Sequence, residues 1–136
     1  MLPGLFFGSP ALVEKEIMRA FTRARLRSTW VVKSGDKTIY SCSTLTIRAR
    51  NADITTVEGI IGKDGGLHPV QKAFIEEIGP QCGICTPGQV VSAVTLLENN
   101  PKPTVDQVRH ALSGNLCRCG AYDHYLKGVM KAAGRA

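Results

Sequence analysis

The amino-acid sequence predicts an α+β chain, with extended segments in its first half and four short helices in its second. Three observations carry that prediction. Two β-prone runs flank the turn signal "KSGD". From Pro69 onward the apolar residues adopt helical spacing. Two close cysteine pairs, "CGIC" and "CRC", each stand just before one of the predicted helices.

The chain has 136 residues, 43% of them hydrophobic and 21% charged. That is enough for one ordinary domain or two small ones, and it excludes disorder throughout. The opening "MLPGLFFGSPALVEKE" is broken by Pro3, Gly4, Gly8 and Pro10, and no basic stretch precedes it, so no signal peptide is expected. No run of 18 apolar residues exists, so no membrane span is expected. A cytoplasmic location follows as the default.

Residues 11–27 have helical spacing, with Val13, Ile17, Phe21 and Ala24 on one side and arginines around them. The net charge is +6 and uneven. Residues 1–37 hold seven Lys/Arg against three Asp/Glu, while the rest holds ten against eight. The stretch "RAFTRARLRS" can meet nucleic acid or an acidic partner. No aromatic-rich RNA motif or recognition-helix signature accompanies it. It is therefore read as a solvated basic face, with no nucleic-acid partner.

Thr29 to Cys42 reads as a β-hairpin around "KSGD". "TLTIRARNADITTVEGI" continues in an extended, turn-rich style. The first helix starts at Pro69, with Val70, Phe74, Ile75 and Ile78 as its apolar stripe. Thr86 reads as the N-cap of the second, with Pro87 at its first helical position. That helix runs through Val90, Val91, Val94 and Leu97 and stops at "NNPKP". Thr104 opens the third, with Val105, Val108 and Leu112 facing inward, and "SGN" ends it. The fourth spans about Ala121 to Ala133, with Tyr122, Tyr125, Leu126, Val129 and Met130 at the required intervals.

Five cysteines is an odd number, which argues against a fully paired disulfide framework. Clustered close pairs point instead to metal or redox chemistry. Two cysteines in a tight turn can aim at one point, and two such turns make a four-thiolate site for zinc or iron–sulfur. The spacing is C-x2-C, then 31 residues, then C-x-C. Zinc sites usually repeat a C-x2–4-C knuckle twice, so the C-x-C half leans toward iron–sulfur. Gly83, Gly88 and Gly120 leave backbone amides free to approach sulfur. Helix N-termini after Cys85 and Cys119 offer further amides, and Arg118 adds a positive charge. Zinc stays open on these grounds alone.

The segment "HPVQKAFIEEIGPQCGICTPGQVVSAVTLLENNPKPTVDQVRHALSGNLCRCGAY" resembles the C-terminal domain of the small iron–sulfur subunit of the molybdenum hydroxylases. These include xanthine dehydrogenase, aldehyde oxidoreductase and carbon monoxide dehydrogenase. The resemblance covers Thr29 to Ala136. It implies a four-helix domain in which Cys82, Cys85, Cys117 and Cys119 bind one [2Fe-2S] cluster, with Gln81 close to the molybdopterin. It implies a large molybdopterin subunit and an FAD subunit as partners. Substrate is hydroxylated at molybdenum in such enzymes, and this chain would only relay electrons. "CRCGAY" is closer to the aldehyde and isoquinoline oxidoreductase branch.

Relatives carry a second cluster in an N-terminal β-grasp domain similar to plant-type ferredoxin. By the resemblance Cys42 matches its fourth ligand, while Ser28, Arg25 and Ala20 stand near the other three positions. Residues 1–28 contain no cysteine. One thiolate cannot hold a [2Fe-2S] cluster, so the second cluster is expected to be absent and Cys42 to be a leftover or buried free thiol. The expected organisation is a divergent basic segment at 1–28, a β-grasp remnant at 29–66 and the helical cluster domain at 67–136. A wrong start, a frameshift or a degenerate copy would each account for the first segment. The alternatives in function are a zinc-stabilised interaction module and an inactive relic.

Other residues take plainer readings. His68, His110 and His124 are read as hydrogen-bonded or surface groups. Asp53 and Glu58 are read as solvated. So are Glu76 and Glu77, which as helix neighbours are not expected to face one point. Trp30 is read as core, and Tyr122 and Tyr125 as packing beneath the cluster.

Overall fold

The computed structural model describes residues 31–62 and 65–134. The expectations for the helix at 11–27, its basic face and Trp30 lie outside that range.

The hairpin forms as the turn signal requires. Strand β1 (Val31–Ser34) pairs antiparallel with β2 (Lys37–Tyr40), placing Val31 opposite Tyr40 and Ser34 opposite Lys37. The two residues between are Gly35 and Asp36, and Gly35 sits at φ +59°. A glycine at the first central position is what a type II′ hairpin turn demands. A short strand β3 (Ile54–Thr55) pairs with the other edge of β1, giving the order β2-β1-β3. Single 3-10 turns at Thr46–Ala49 and Val57–Gly59 fill the intervening chain.

Four helices follow: α1 (Pro69–Glu76), α2 (Thr86–Asn99), α3 (Val105–Leu112) and α4 (Tyr122–Ala132). Helix α2 is the central one, buried at nearly every position from Gly88 to Thr95. Its apolar residues meet Val70 and Phe74 of α1, Val108 of α3 and Tyr125 of α4, and Val31 and Ile60 join the same cluster from the sheet side. The hairpin is tied to the end of α2 by polar contacts as well. Lys33 pairs with Glu98, and Asn99 Nδ2 donates to the Asp36 carbonyl at 2.6 Å. No helix among the described residues is long and apolar enough to cross a membrane.

Helix starts follow local chemistry. The His68 backbone N–H donates to Gln71 Oε1 at 2.7 Å, and His68 Nδ1 accepts from the Val70 N–H at 3.2 Å. Thr104 caps α3 in the same reciprocal way with Gln107.

Several expectations need correction. In α1 only Val70 and Phe74 of the expected stripe are buried; Ile75 and Ile78 are exposed, and Ala73 takes the inward place. The helix has already ended before Ile78. The Gly79 N–H reaches back to the Phe74 carbonyl and the Ile78 N–H to that of Ile75, a Schellman closure. Ile78 occupies its left-handed position at φ +53°, where glycine is the usual choice. Val105 and Tyr122, expected inward, are also largely exposed, because each stands in the first turn of its helix. Glu76 and Glu77 do meet at one point: both carboxylates bind Lys131 Nζ, at 3.1 and 2.9 Å. Glu77 is the C-cap rather than a helical residue, so its side chain leaves the helical spacing.

Aromatic packing locks α1 to α4. Phe74 and Tyr125 meet edge to face with centroids 4.9 Å apart. Gly128 permits this approach, since a Cβ there would lie 2.6 Å from Phe74 Cδ1.

Candidate metal centre

Two cysteine turns built on one plan face each other at the helix starts. In the first, Gly83 takes φ +80° between Cys82 and Cys85. Cys85 itself is the N-cap of α2, so Thr86 stands one position inside the helix rather than at the cap. The Thr86 hydroxyl is engaged elsewhere, 2.7 Å from Tyr125 Oη. In the second turn Gly120 takes φ +72°, and its N–H donates to the Cys117 carbonyl at 3.2 Å. Open space surrounds Gly83 and Gly120 alike, so the left-handed backbone, not crowding, selects glycine at both.

The turns bring four thiols together. Cys82 and Cys119 stand near enough to perturb each other's titration, as do Cys85 and Cys117. All are free thiols. Cys85 and Cys117 are buried, while Cys82 is exposed and Cys119 half-buried. No group of three or more His, Cys, Asp or Glu among the described residues is tight enough for a single metal ion. Two such turns, each bearing two cysteines, offer four thiols to a metal centre.

Backbone amides shape the charge of these thiols. An amide hydrogen bond from Ile84, then the Cys119 thiol, holds Cys82 below the usual thiol range. Burial pushes Cys117 up, but hydrogen bonds from Ala121, Cys85, Cys119 and Gly120 together outweigh it and leave it lowered. Burial raises Cys85, against a hydrogen bond to Tyr125 Oη at 3.7 Å. For Cys119 a backbone hydrogen bond from Cys82 lowers the value, and the Cys82 thiol, burial and neighbouring charge reverse it. Amides directed at sulfur are what a negatively charged thiolate cluster needs.

The two tyrosines do more than pack. Tyr125, 1% exposed, lies against Cys85. Tyr122 Oη accepts the Cys117 N–H at 2.8 Å and so fixes the second turn. Sequence reasoning missed a buried polar set behind that turn. Gln89 Nε2 donates to the Asn115 carbonyl at 3.1 Å, and Asn115 Nδ2 donates to Ser92 Oγ at 2.9 Å. Its signal was Gln89 and Ser92 flanking Val90 and Val91 in the buried half of α2.

The remaining candidates lie apart from the thiols. His68 caps α1, and His124 Nδ1 is 2.8 Å from the Glu77 carbonyl oxygen. The His110 carbonyl accepts from Ser113 Oγ. Asp53 uses its carbonyl to accept the Gly35 N–H at 3.0 Å. Arg118 is exposed between its cysteines, and Gln81 is exposed beside Cys82. Cys42 is an exposed thiol just past the hairpin, not a buried one.

A helical unit whose cysteine turns sit at helix starts, with thiols neighbouring across the turns and amides aimed at sulfur, is the layout of an iron–sulfur domain. The [2Fe-2S] binding domain family model matches residues 56–130, more than half of the chain. The chain belongs to that family. It is 41% identical over 109 residues to the aldehyde oxidoreductase iron-sulfur-binding subunit PaoA of Escherichia coli K12, covering 69% of this chain and 47% of that one. It is 45% identical over 97 residues to the nicotine 6-hydroxylase small subunit of Paenarthrobacter nicotinovorans, covering 71% and 58%. The chain thus spans about half the length of these relatives. The aldehyde oxidoreductase from Desulfovibrio gigas superposes with a TM-score of 0.73 at 34% identity, covering 96% of this chain and 16% of the other.

Proposed function

We propose that Cys82, Cys85, Cys117 and Cys119 hold one [2Fe-2S] cluster and that the chain relays electrons within a molybdopterin-dependent hydroxylase. The observation that carries this reading is the two glycine-opened turns that set Cys82, Cys85, Cys117 and Cys119 just before α2 and α4, within a chain that matches a [2Fe-2S] binding domain. A bound cluster provides one-electron storage; the chain holds no substrate and makes no bonds. Its residues supply the surroundings. Cys85 and Cys117 hold the inner side, where Tyr125 and the core exclude water. Amides of Ile84, Gly120 and Ala121 offset negative charge on sulfur.

The partner is a large molybdopterin subunit, with an FAD subunit beyond it. The cysteine turns carry large exposed apolar residues, Ile84 at 58% and Leu116 at 83%, as a face made for burial against another protein does. In this reading Gln81, exposed next to Cys82, lies close to the pterin. Residues 67–136 form the cluster unit, and 29–66 the remnant of a β-grasp unit. With Cys42 as the one cysteine outside the four, this chain holds no second cluster.

Purified full-length protein tests this. It should be red-brown and carry about two irons per chain. Cys117→Ser should abolish that absorption, whereas Cys42→Ser should leave it unchanged. A colourless protein with one zinc sinks the reading, and about four irons per chain sinks the absence of a second cluster.

A further inference from the structure

Cys117 is reached through the short link Ser113–Leu116, which leaves α3 and turns into the cysteine loop. That link is gripped from two sides. From inside, Gln89 holds the Asn115 carbonyl and Ser92 holds the Asn115 side chain. Gln89 is fully buried and its Oε1 has no hydrogen-bond partner.

From outside, the grip comes from the hairpin. Tyr40 is the last residue of β2, 74 positions from its target, and its hydroxyl donates to the Gly114 carbonyl at 2.8 Å. A side chain at position 114 would displace the tyrosine hydroxyl. A Cβ there would lie 1.9 Å from Tyr40 Oη and 3.2 Å from Tyr40 Cζ. Gly114 has no left-handed backbone to account for it. Its missing side chain is explained by the tyrosine alone.

We propose that Tyr40 is a positioning residue for the second cysteine turn, acting through Gly114 to set where Cys117 and Cys119 stand. The hairpin then has work in this chain apart from any cluster of its own. Lys33 to Glu98 and Asn99 to Asp36 fix the hairpin on the C-terminal end of α2, the helix capped at its start by Cys85. Tyr40 fixes it on the approach to Cys117. The β-hairpin is thereby a brace between α2 and the second cysteine turn, and the Gly114 peptide is clamped between Tyr40 and the Gln89–Asn115–Ser92 set.

This rests on the cluster reading above, and the experiment separates the two. Full-length protein is isolated with its cluster, and the rate of cluster loss to a ferrous-iron chelator is followed by visible absorption, with visible circular dichroism as a probe of cluster surroundings. Tyr40→Phe removes only the hydroxyl. It should speed cluster loss roughly two- to tenfold, the range one hydrogen bond carries, and alter the dichroism while iron per chain at isolation stays the same. Gly114→Ala should speed loss further by forcing the ring away. Tyr40→Val keeps a strand-forming residue and removes the ring, so Gly114→Ala should cost much less in that background. Unchanged loss and dichroism in Tyr40→Phe, or additive effects of Gly114→Ala and Tyr40→Val, overturn the brace while leaving the cluster reading intact. A colourless wild-type protein overturns both.

Discussion

Tyr125→Phe removes one buried oxygen and almost nothing else. The ring is 1% exposed and meets Phe74 edge to face, and phenylalanine keeps both features. Two interactions are lost. One is the 2.7 Å hydrogen bond to Thr86 Oγ1 at the start of α2; the other is the 3.7 Å contact that accepts from Cys85 Sγ. The first has strong geometry and contributes about 1 kcal/mol net. The second is long and adds little. Thr86 is only half-buried, so water can replace its partner and the cost stays near that of one bond. The expected loss is about 1 kcal/mol, or about 4–8 °C in Tm for a unit of this size. Tyr125→Leu also loses the ring contact and should cost about 3 kcal/mol or more. Guanidinium unfolding of the protein and both variants gives the values. If Tyr125→Phe is as stable as wild type while Tyr125→Leu is not, the hydroxyl is idle and the link from α4 to the first cysteine turn is refuted.

Two further predictions concern α1. Burial, partly offset by Glu98, holds His68 below its ordinary value of 6.5. As pH falls the unfolded chain takes the proton first, so the contribution is full above 6.5 and is lost as pH drops through the lower folded value. A protonated Nδ1 also cannot accept from Val70. His68→Asn keeps a cap acceptor without titrating, so between pH 7.5 and 5 wild type should lose up to about 1 kcal/mol relative to it; parallel stability curves would refute the cap. Ile78, 70% exposed at φ +53°, carries left-handed strain with little burial in return. Ile78→Gly should therefore raise stability by about 1 kcal/mol, measured by denaturant midpoint, and a loss would show that the isoleucine packs in solution.

The hairpin, the four helices and the two cysteine turns were legible because each depends on neighbours in sequence. Gly35 makes the turn, Thr104 caps with Gln107 three residues on, and Gly120 frees the backbone beside Cys119. Errors fell where a helix ends or starts. The spacing of Val70 and Phe74 continues formally to Ile78, but the Schellman closure at Gly79 takes Ile78 out of register. Thr86 has the chemistry of a cap, yet its hydroxyl is drawn to Tyr125 and Cys85 takes the cap position.

The sequence by itself determined the α+β order, the cysteine spacing and hence the family, since these reside in residues a few positions apart. Only the tertiary structure decided which thiols are neighbours, Cys82 beside Cys119 and Cys85 beside Cys117, because that needs the two cysteine turns to meet in space. It alone joined Glu76 and Glu77 on Lys131, and Tyr40 to Gly114. A hydrogen bond across 74 residues leaves no period or spacing to read. It exists because burying the apolar face of α2 brings the hairpin and the cysteine link to the same place.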